Sequence, residues 1–171
     1  MAEPEKEYRF SYSSPLGVMT LTSDGTALTG LWFEGLDHLP ERTAFPAGKT
    51  LSVFLGTKEW LDTYFAGKIP AFTPPLRMKG TPFRRLVWER LLPIPYGETV
   101  TYGAIAKEIA QVSGVPRMSA QAVGGAVGHN RIAIIVPCHR VVGAKGSLVG
   151  YAAGLERKRF LLELERKTLR P

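Results

Sequence analysis

Three prolines within six residues, Pro70, Pro74 and Pro75, set the strongest limit on how this chain can fold. Proline fixes φ and lacks an amide proton, so neither a helix interior nor a central strand can run through that stretch. The chain is therefore expected to divide into residues 1–75, an N-terminal part with its linker, and residues 76–171. Charge divides at nearly the same place. Residues 1–70 hold 6 Lys/Arg against 9 Asp/Glu, residues 71–171 hold 16 against 6, and the whole chain carries +7. A basic second half fits a polyanionic partner, because cationic side chains displace counterions from phosphates. A basic enzyme surface explains the charge equally well, so charge alone leaves both readings open.

Ahead of the prolines the pattern is mixed α/β. Arg9 to Thr22 alternates polar and apolar residues around Ser14-Pro15-Leu16-Gly17, which predicts two strands and a turn. Asp24-Gly25 marks another turn before a strand through Leu28, Leu31 and Phe33. Lys49 to Phe65 has helical spacing and stops at Gly67. Beyond the prolines the chain reads as helical. Phe83, Leu86, Val87 and Leu91 predict a helix that ends before Pro93 and Pro95. Tyr96-Gly97-Glu98-Thr99 is a turn, and Thr101 is a good N-cap for a helix from Tyr102 to about Ala110. A loop with Ser113, Gly114 and Pro116 leads to a second short helix, with Met118, Ala122, Val123, Ala126 and Val127 on one side. The pair resembles a helix-turn-helix with a lengthened loop. Ile132 to Val136 reads as a buried strand or extended segment, and Leu155 to Lys167 as a closing helix.

Several function classes fall away. No apolar run is long enough to cross a bilayer, and Glu3, Glu5 and Glu7 give an acidic start unlike a signal peptide. A cytoplasmic protein without a membrane partner is expected, with access to the nucleoid in a prokaryote or the nucleus in a eukaryote. A single cysteine builds no internal disulfide, and His38, His129 and His139 form no metal-ligand spacing, so no metal site is expected.

That cysteine lies in Pro137-Cys138-His139-Arg140-Val141-Val142. A free thiol has a pKa of about 8.5, so a nucleophilic one needs a base or cationic surroundings. His139 is adjacent and could serve directly or through water, with a carboxylate such as Glu165 fixing its tautomer. The residues alone do not decide this. A lone cysteine after an apolar run is usually a small hydrophobe, and Glu163-Leu164-Glu165-Arg166-Lys167 has the look of a solvated helix face.

The wider pattern resembles the O6-alkylguanine-DNA alkyltransferases, also called methylated-DNA–protein-cysteine methyltransferases. Pro-Cys-His-Arg-Val-Val at 137–142 matches their active-site motif, and Ile94-Pro95-Tyr96-Gly97-Glu98-Thr99 with Tyr102 precedes it in family order. Ala122-Val123-Gly124-Gly125-Ala126, Asn130, Tyr151, Gly154 and Glu165 complete the register. The resemblance implies an α/β (α+β) two-domain fold, with a ribonuclease-H-like N-terminal domain and a helical C-terminal domain carrying the helix-turn-helix and the cysteine. It implies direct damage reversal. The alkyl group of O6-alkylguanine, with O4-alkylthymine as a second substrate to test, moves irreversibly to Cys138 after base flipping, once per molecule. Among catalytic residues it assigns His139 as the base acting through water, Glu165 as its orienter and Asn130 as a brace for the turn before the cysteine. Tyr102 would press on the target phosphate and donate to the leaving base. Tyr102, Gln121, Ala122, Gly125 and Arg140 would contact DNA, while Pro137, Val142, Tyr151, Ala152 and Gly154 would line the pocket. The partner would be duplex DNA bearing alkylated guanine, the protein a monomer, and no cofactor is implied.

Three positions depart from the family pattern. Gln121 stands where most relatives place an arginine finger, Arg131 where proline is common, and Ala152 where some have serine. The first bears on base flipping. A cysteine hydrolase fits less well, because adjacent Cys-His is not its usual separated arrangement. A lesion-binding relative without chemistry would lack Cys138, and a plain helix-turn-helix regulator would not need the Cys-His-Glu set.

Overall fold

The computed structural model describes residues 6–35 and 51–170. Glu3, Glu5, His38 and Lys49, which entered the sequence reading, lie outside the described residues. The chain separates into two compact units, Met1–Met78 and Lys79–Pro171.

In the first unit β1 (Tyr8–Ser14), β2 (Gly17–Ser23) and β3 (Leu28–Phe33) form an antiparallel sheet in that order. The β1–β2 hairpin closes where the sequence placed it, with Ser14 paired to Gly17 and the Gly17 φ at +116°, a value suited to glycine. Helix α1 (Ser52–Phe65) packs on β1 and β2 and buries Phe54, Trp60, Leu61 and Tyr64. The proline segment is not a free tether throughout its length. Leu76 forms a parallel bridge with Leu28, through amide donation from Leu28 to Pro75 and from Arg77 to Leu28, and Arg77 is ion-paired with Asp24. The prolines end regular structure, yet the Pro75 carbonyl and the Arg77 amide still pair with Leu28 at the sheet edge.

The second unit is mostly helical. Helix α2 (Pro82–Leu91) starts with Thr81 as N-cap and Pro82 at its first position. Two short strands, β4 (Val100–Thr101) and β5 (Val141–Val142), pair in parallel. Helix α3 (Tyr102–Ser113) has Thr101 as N-cap, its hydroxyl accepting from the Ala104 amide at 3.0 Å, and ends on left-handed Gly114. Helix α4 (Ala120–Gly128) begins after N-cap Ser119, and α5 (Leu155–Leu169) closes the chain. Helices α2, α3 and α4 pack together around Val87, Trp88, Leu91, Ile105, Ile109, Val123 and Val127, and the Trp88 indole donates to the Ala126 carbonyl at 2.8 Å.

Three local expectations are corrected here. Met118 precedes the α4 N-cap and is not on the helix. Ala122 is exposed, so Val123, Ala126 and Val127 make the inward face without it. Ile132–Val136 is not a strand but a tight turn, with Ile134 at φ +70° and amides of Ile135 and Val136 donating to Ala133 and Ile132. A continuous apolar run marks burial without fixing the backbone conformation.

Candidate active site

The cysteine segment is fixed from both sides. Before it, the Asn130 amide donates to the carbonyls of Ile132 (3.2 Å) and Val136 (2.8 Å), while its oxygen accepts from the Ile132 amide at 3.0 Å. One side chain thereby satisfies three backbone groups of a turn that no ladder could satisfy. After it, β5 pairs with β4 in the register Val100–Val141 and Thr101–Val142. The two sequence motifs around Tyr102 and Cys138 are thus brought side by side. Cys138, His139 and Arg140 form a single 3₁₀ turn between these anchors, and all three are buried.

Burial pushes the Cys138 thiol pKa up, while hydrogen bonding from Asn130, the Lys158 charge and the Tyr151 hydroxyl pull it back without reversing the rise. At rest the group is a thiol. A proton must leave it before sulfur becomes a strong nucleophile.

His139 lies beside it with no exposed surface. Its Nε2 is 2.5 Å from Glu165 Oε2, and Glu165 is held down at a pKa of about 2, with the His139 and Arg140 contacts outweighing the rise that burial alone would cause. An ionised carboxylate only accepts, so Nε2 carries the hydrogen and Nδ1 carries the lone pair. Nδ1 is buried and has no hydrogen-bond partner among the described residues. Burial lowers the His139 pKa, Glu165 raises it, and Arg140 and Lys158 lower it again, for a net fall. The imidazole is a neutral base.

The structure departs from expectation most at Arg140. Placed by the resemblance on DNA, its guanidinium is instead buried. Nε donates to Glu165 Oε1 at 2.8 Å, Nη2 to Oε2 at 3.2 Å and Nη1 to the Ile94 carbonyl at 2.7 Å, with the group 5.5 Å over the Tyr96 ring. A cation so engaged is not presented to a phosphate. The amide of Gly97 also donates to Glu165 Oε1, at 2.9 Å, and the Tyr96 hydroxyl bonds the Thr168 hydroxyl at 3.0 Å. The Ile-Pro-Tyr-Gly turn therefore serves the buried carboxylate.

Sequence reasoning missed Lys158. It is fully buried on the same face of α5 as Leu161 and Glu165, and its Nζ donates to the carbonyls of Val141 (2.6 Å), Val149 (2.8 Å) and Gly150 (3.1 Å). Burial lowers its pKa to about 8, against an upward pull from Cys138. Its spacing of seven from Glu165 was the available signal, since both fall on one helical face. It was hidden within Arg157-Lys158-Arg159, which has the composition of a solvated surface.

The remaining expected residues fall into place unevenly. Tyr102 is half-buried at the start of α3, and its hydroxyl donates to the Val149 and Gly150 carbonyls at 3.2 and 3.1 Å. Pro137 and Val142 are buried next to the cysteine, and the Tyr151 hydroxyl faces the thiol, which with burial drives its pKa well up. Ala152 and Gly154 are exposed on the loop into α5. Gln121, Ala122 and Gly125 share exposure on α4, and a Cβ at Gly125 or Gly128 would meet nothing. Glycine weakens a helix by about 1 kcal/mol relative to alanine, so glycines that make no inward contact point to a benefit on the outer face. Gly124 differs, since a Cβ there would touch the Tyr102 ring.

Among the described residues no cluster of three or more His, Cys, Asp or Glu is placed to hold a metal, and no helix is long and apolar enough to cross a membrane.

Comparison with known proteins accounts for nearly the whole chain. Residues 8–78 match the ribonuclease-like domain of 6-O-methylguanine DNA methyltransferase, and residues 82–167 match its DNA-binding domain. A methylated-DNA–protein-cysteine methyltransferase of Mycobacterium tuberculosis is 48% identical over 153 residues, 90% of this chain and 88% of the relative. One from Haemophilus influenzae is 40% identical over 160 residues, 93% of this chain and 86% of that one. The crystal structure of Mycobacterium tuberculosis O6-methylguanine methyltransferase superposes with a TM-score of 0.81 at 45% identity, covering 95% and 94% of the two chains. The same organism's protein solved in complex with DNA gives 0.79 at 44% identity, with 94% of each chain covered.

Proposed function

This chain belongs to the 6-O-methylguanine DNA methyltransferase family, and from that premise we propose that Cys138 is the acceptor through which it reverses alkylation of guanine in duplex DNA. Its fold is the family's two-domain arrangement, ribonuclease-like then DNA-binding. Its activity is that of a methylated-DNA–protein-cysteine methyltransferase. The observation that supports the residue assignment is the buried pair of Glu165 with His139, the residue next to Cys138, with Nδ1 as the basic atom that has no hydrogen-bond partner among the described residues.

The chemistry follows from those groups. The thiol proton passes to His139 Nδ1, directly or through water, and the resulting imidazolium is opposed by Glu165. Sulfur attacks the alkyl carbon, the S–C bond forms as the C–O6 bond breaks, and the electron pair leaves with guanine. The departing base takes a proton from a donor at the site, a role assigned to Tyr102, whose hydroxyl must first turn from the Val149 and Gly150 carbonyls. The thioether does not hydrolyse, so each molecule acts once. Pro137, Val142, Tyr151, Ala152 and Gly154 enclose the base, and Gln121, Ala122 and Gly125 meet the DNA from the exposed side of α4. Extrusion of the base from the stack precedes the reaction. The protein is proposed to work as a monomer, and O4-alkylthymine is the second substrate to test against the same chemistry.

Intact-protein mass spectrometry after incubation with a duplex bearing one O6-methylguanine tests this. Wild type gains one methyl group, on Cys138, and Cys138→Ser gains none while still binding the duplex. Methylation at another residue, or turnover beyond one equivalent, would overturn it.

A further inference from the structure

A buried carboxylate is costly unless it is paired and hydrogen-bonded. Two guanidinium donors of Arg140, the Gly97 amide and the His139 imidazole all converge on the two oxygens of Glu165, with no exposed surface on the carboxylate. Arg140 is itself fixed by the Ile94 carbonyl and the Tyr96 ring, so its position does not depend on Glu165 alone. A bidentate guanidinium sets both the place and the rotation of the carboxylate it grips. That rotation determines where Oε2 meets the imidazole, and hence which way Nδ1 points.

We propose that Arg140 is a positioning residue for alkyl transfer, whose guanidinium clamps Glu165 so that His139 presents an unprotonated Nδ1 toward Cys138. The proposal rests on the reading of Cys138 as acceptor and His139 as base. Two effects follow from the one contact. The planar fork holds the carboxylate in register with Nε2. Its positive charge, facing the imidazole across a shared carboxylate, opposes a second proton on His139 before substrate arrives. The other ionisable groups around the pair are Cys138 on the same 3₁₀ turn, Lys158 on α5, Tyr96 in the 94–99 turn and Tyr151 in the loop before α5. Of these, Lys158 is the second cation. It opposes imidazolium from its own side, while its ammonium donates to the carbonyls of Val141, Val149 and Gly150.

The sign of the effect distinguishes this from plain support of the fold. With Arg140 removed, the Glu165–His139 pair holds a proton more readily, and the base is disabled at pH values where it is now free. The acid limb of the transfer rate should then move to higher pH. A structural role alone would lower the rate or the amount of folded protein and leave the limb where it was.

The test is single-turnover methyl transfer from a duplex carrying one O6-methylguanine, followed from pH 5 to 9 for wild type, Arg140→Met and Arg140→Lys. For Arg140→Met we expect the acid limb to rise by about half a pH unit or more, with transfer at pH 7 about tenfold slower and duplex affinity within about twofold of wild type. Arg140→Lys, which keeps the charge but not the fork, should hold the limb near wild type while transferring more slowly. Nitrogen-15 shifts of the His139 ring in wild type should report the neutral Nε2–H form at pH 7, a measurement that stands even if Arg140→Met does not fold. An unmoved limb in Arg140→Met, or a protonated ring in wild type at pH 7, would overturn the proposal. A loss of duplex affinity without a limb shift would restore Arg140 to the DNA surface. Failure of wild type to transfer at all would sink the acceptor assignment instead, and is read separately.

Discussion

Among the described residues of the N-terminal unit, the buried polar side chains are hydroxyls, Thr20, Thr22, Ser23, Thr29 and Thr57. In the C-terminal unit they are ionisable, His139, Arg140, Lys158 and Glu165. The hydroxyls are satisfied close at hand: Thr22 by Thr29 at 3.0 Å, Ser23 by the Ala27 carbonyl at 2.7 Å, Thr57 by the Val53 carbonyl at 2.7 Å. Such groups are inexpensive to bury once paired. Charges are not, because their desolvation rivals the attraction they regain, and a hydrophobic replacement of the whole set would often serve stability as well or better. The difference teaches where function resides. A sheet with hydroxyl pairs needs no explanation beyond folding, whereas four ionisable side chains in one small helical unit call for a role that apolar residues could not fill.

Breaking the charged set should have the largest effect. Glu165→Gln removes the negative charge that faces both Arg140 and His139, leaving a buried guanidinium without its counter-ion. We expect transfer to slow by about 10² or more, as for loss of a general base, with duplex affinity within a few-fold of wild type. Stability should fall by about 3 kcal/mol, consistent with a carboxylate pKa lowered from 4.5 to about 2. The same shift gives a pH signature. Above pH 4.5 neither state holds the proton, and between 4.5 and about 2 the unfolded state binds it more readily, so this contribution is lost as pH falls through that window. Denaturant unfolding across pH 2–6 should show the slope in wild type and not in the variant. Transfer by Glu165→Gln at the wild-type rate would reduce Glu165 to a structural charge.

Which parts of this contrast were visible beforehand depended on how each residue makes its contacts. The hairpin at 14–17, the Thr101 cap and the amphipathic α2 are local features, encoded by neighbours in sequence, and the structure follows them. The Ile132–Val136 turn was misread because its conformation is set by Asn130, a side chain bonding backbone groups that periodicity does not register. Arg140 looked like a DNA contact and Lys158 like solvent-facing charge, since a cation's partners in the interior come from positions 46 residues before the one and 17 residues before the other. The family pattern located Cys138, His139 and Glu165; it did not reveal that the Ile-Pro-Tyr-Gly turn contributes an amide to the same carboxylate.

An exposed position offers a middle case, where charge is added without burial. Gln121 lies exposed on α4. An arginine there would bring a planar cation to fill the space left by a flipped base and meet nearby phosphates, where glutamine is shorter and neutral. Gln121→Arg should speed repair of duplex lesions several-fold and leave reaction with free O6-methylguanine base unchanged. Equal duplex rates, measured by single-turnover transfer, would mean that Gln121 or another residue already fills the role.

The smallest effect should come from the hydroxyl side. Thr57 is fully buried in α1, and its hydroxyl donates to the Val53 carbonyl one turn back. Residue 57 lies four after residue 53 within that helix, so the Val53 carbonyl is also the acceptor for the Thr57 amide. Thr57→Val therefore removes a donor and its bond together while leaving the carbonyl satisfied, and valine occupies nearly the same shape. Because the acceptor that remains keeps its backbone donor, the substitution orphans no buried group, and the large cost of a broken hydrogen bond does not arise. We expect a change in stability within about 1 kcal/mol by denaturant midpoint, and methyl transfer at the wild-type rate. A loss as large as that of Glu165→Gln would break the comparison, because hydroxyls in the sheet unit would then carry the same burden as the charges around Cys138.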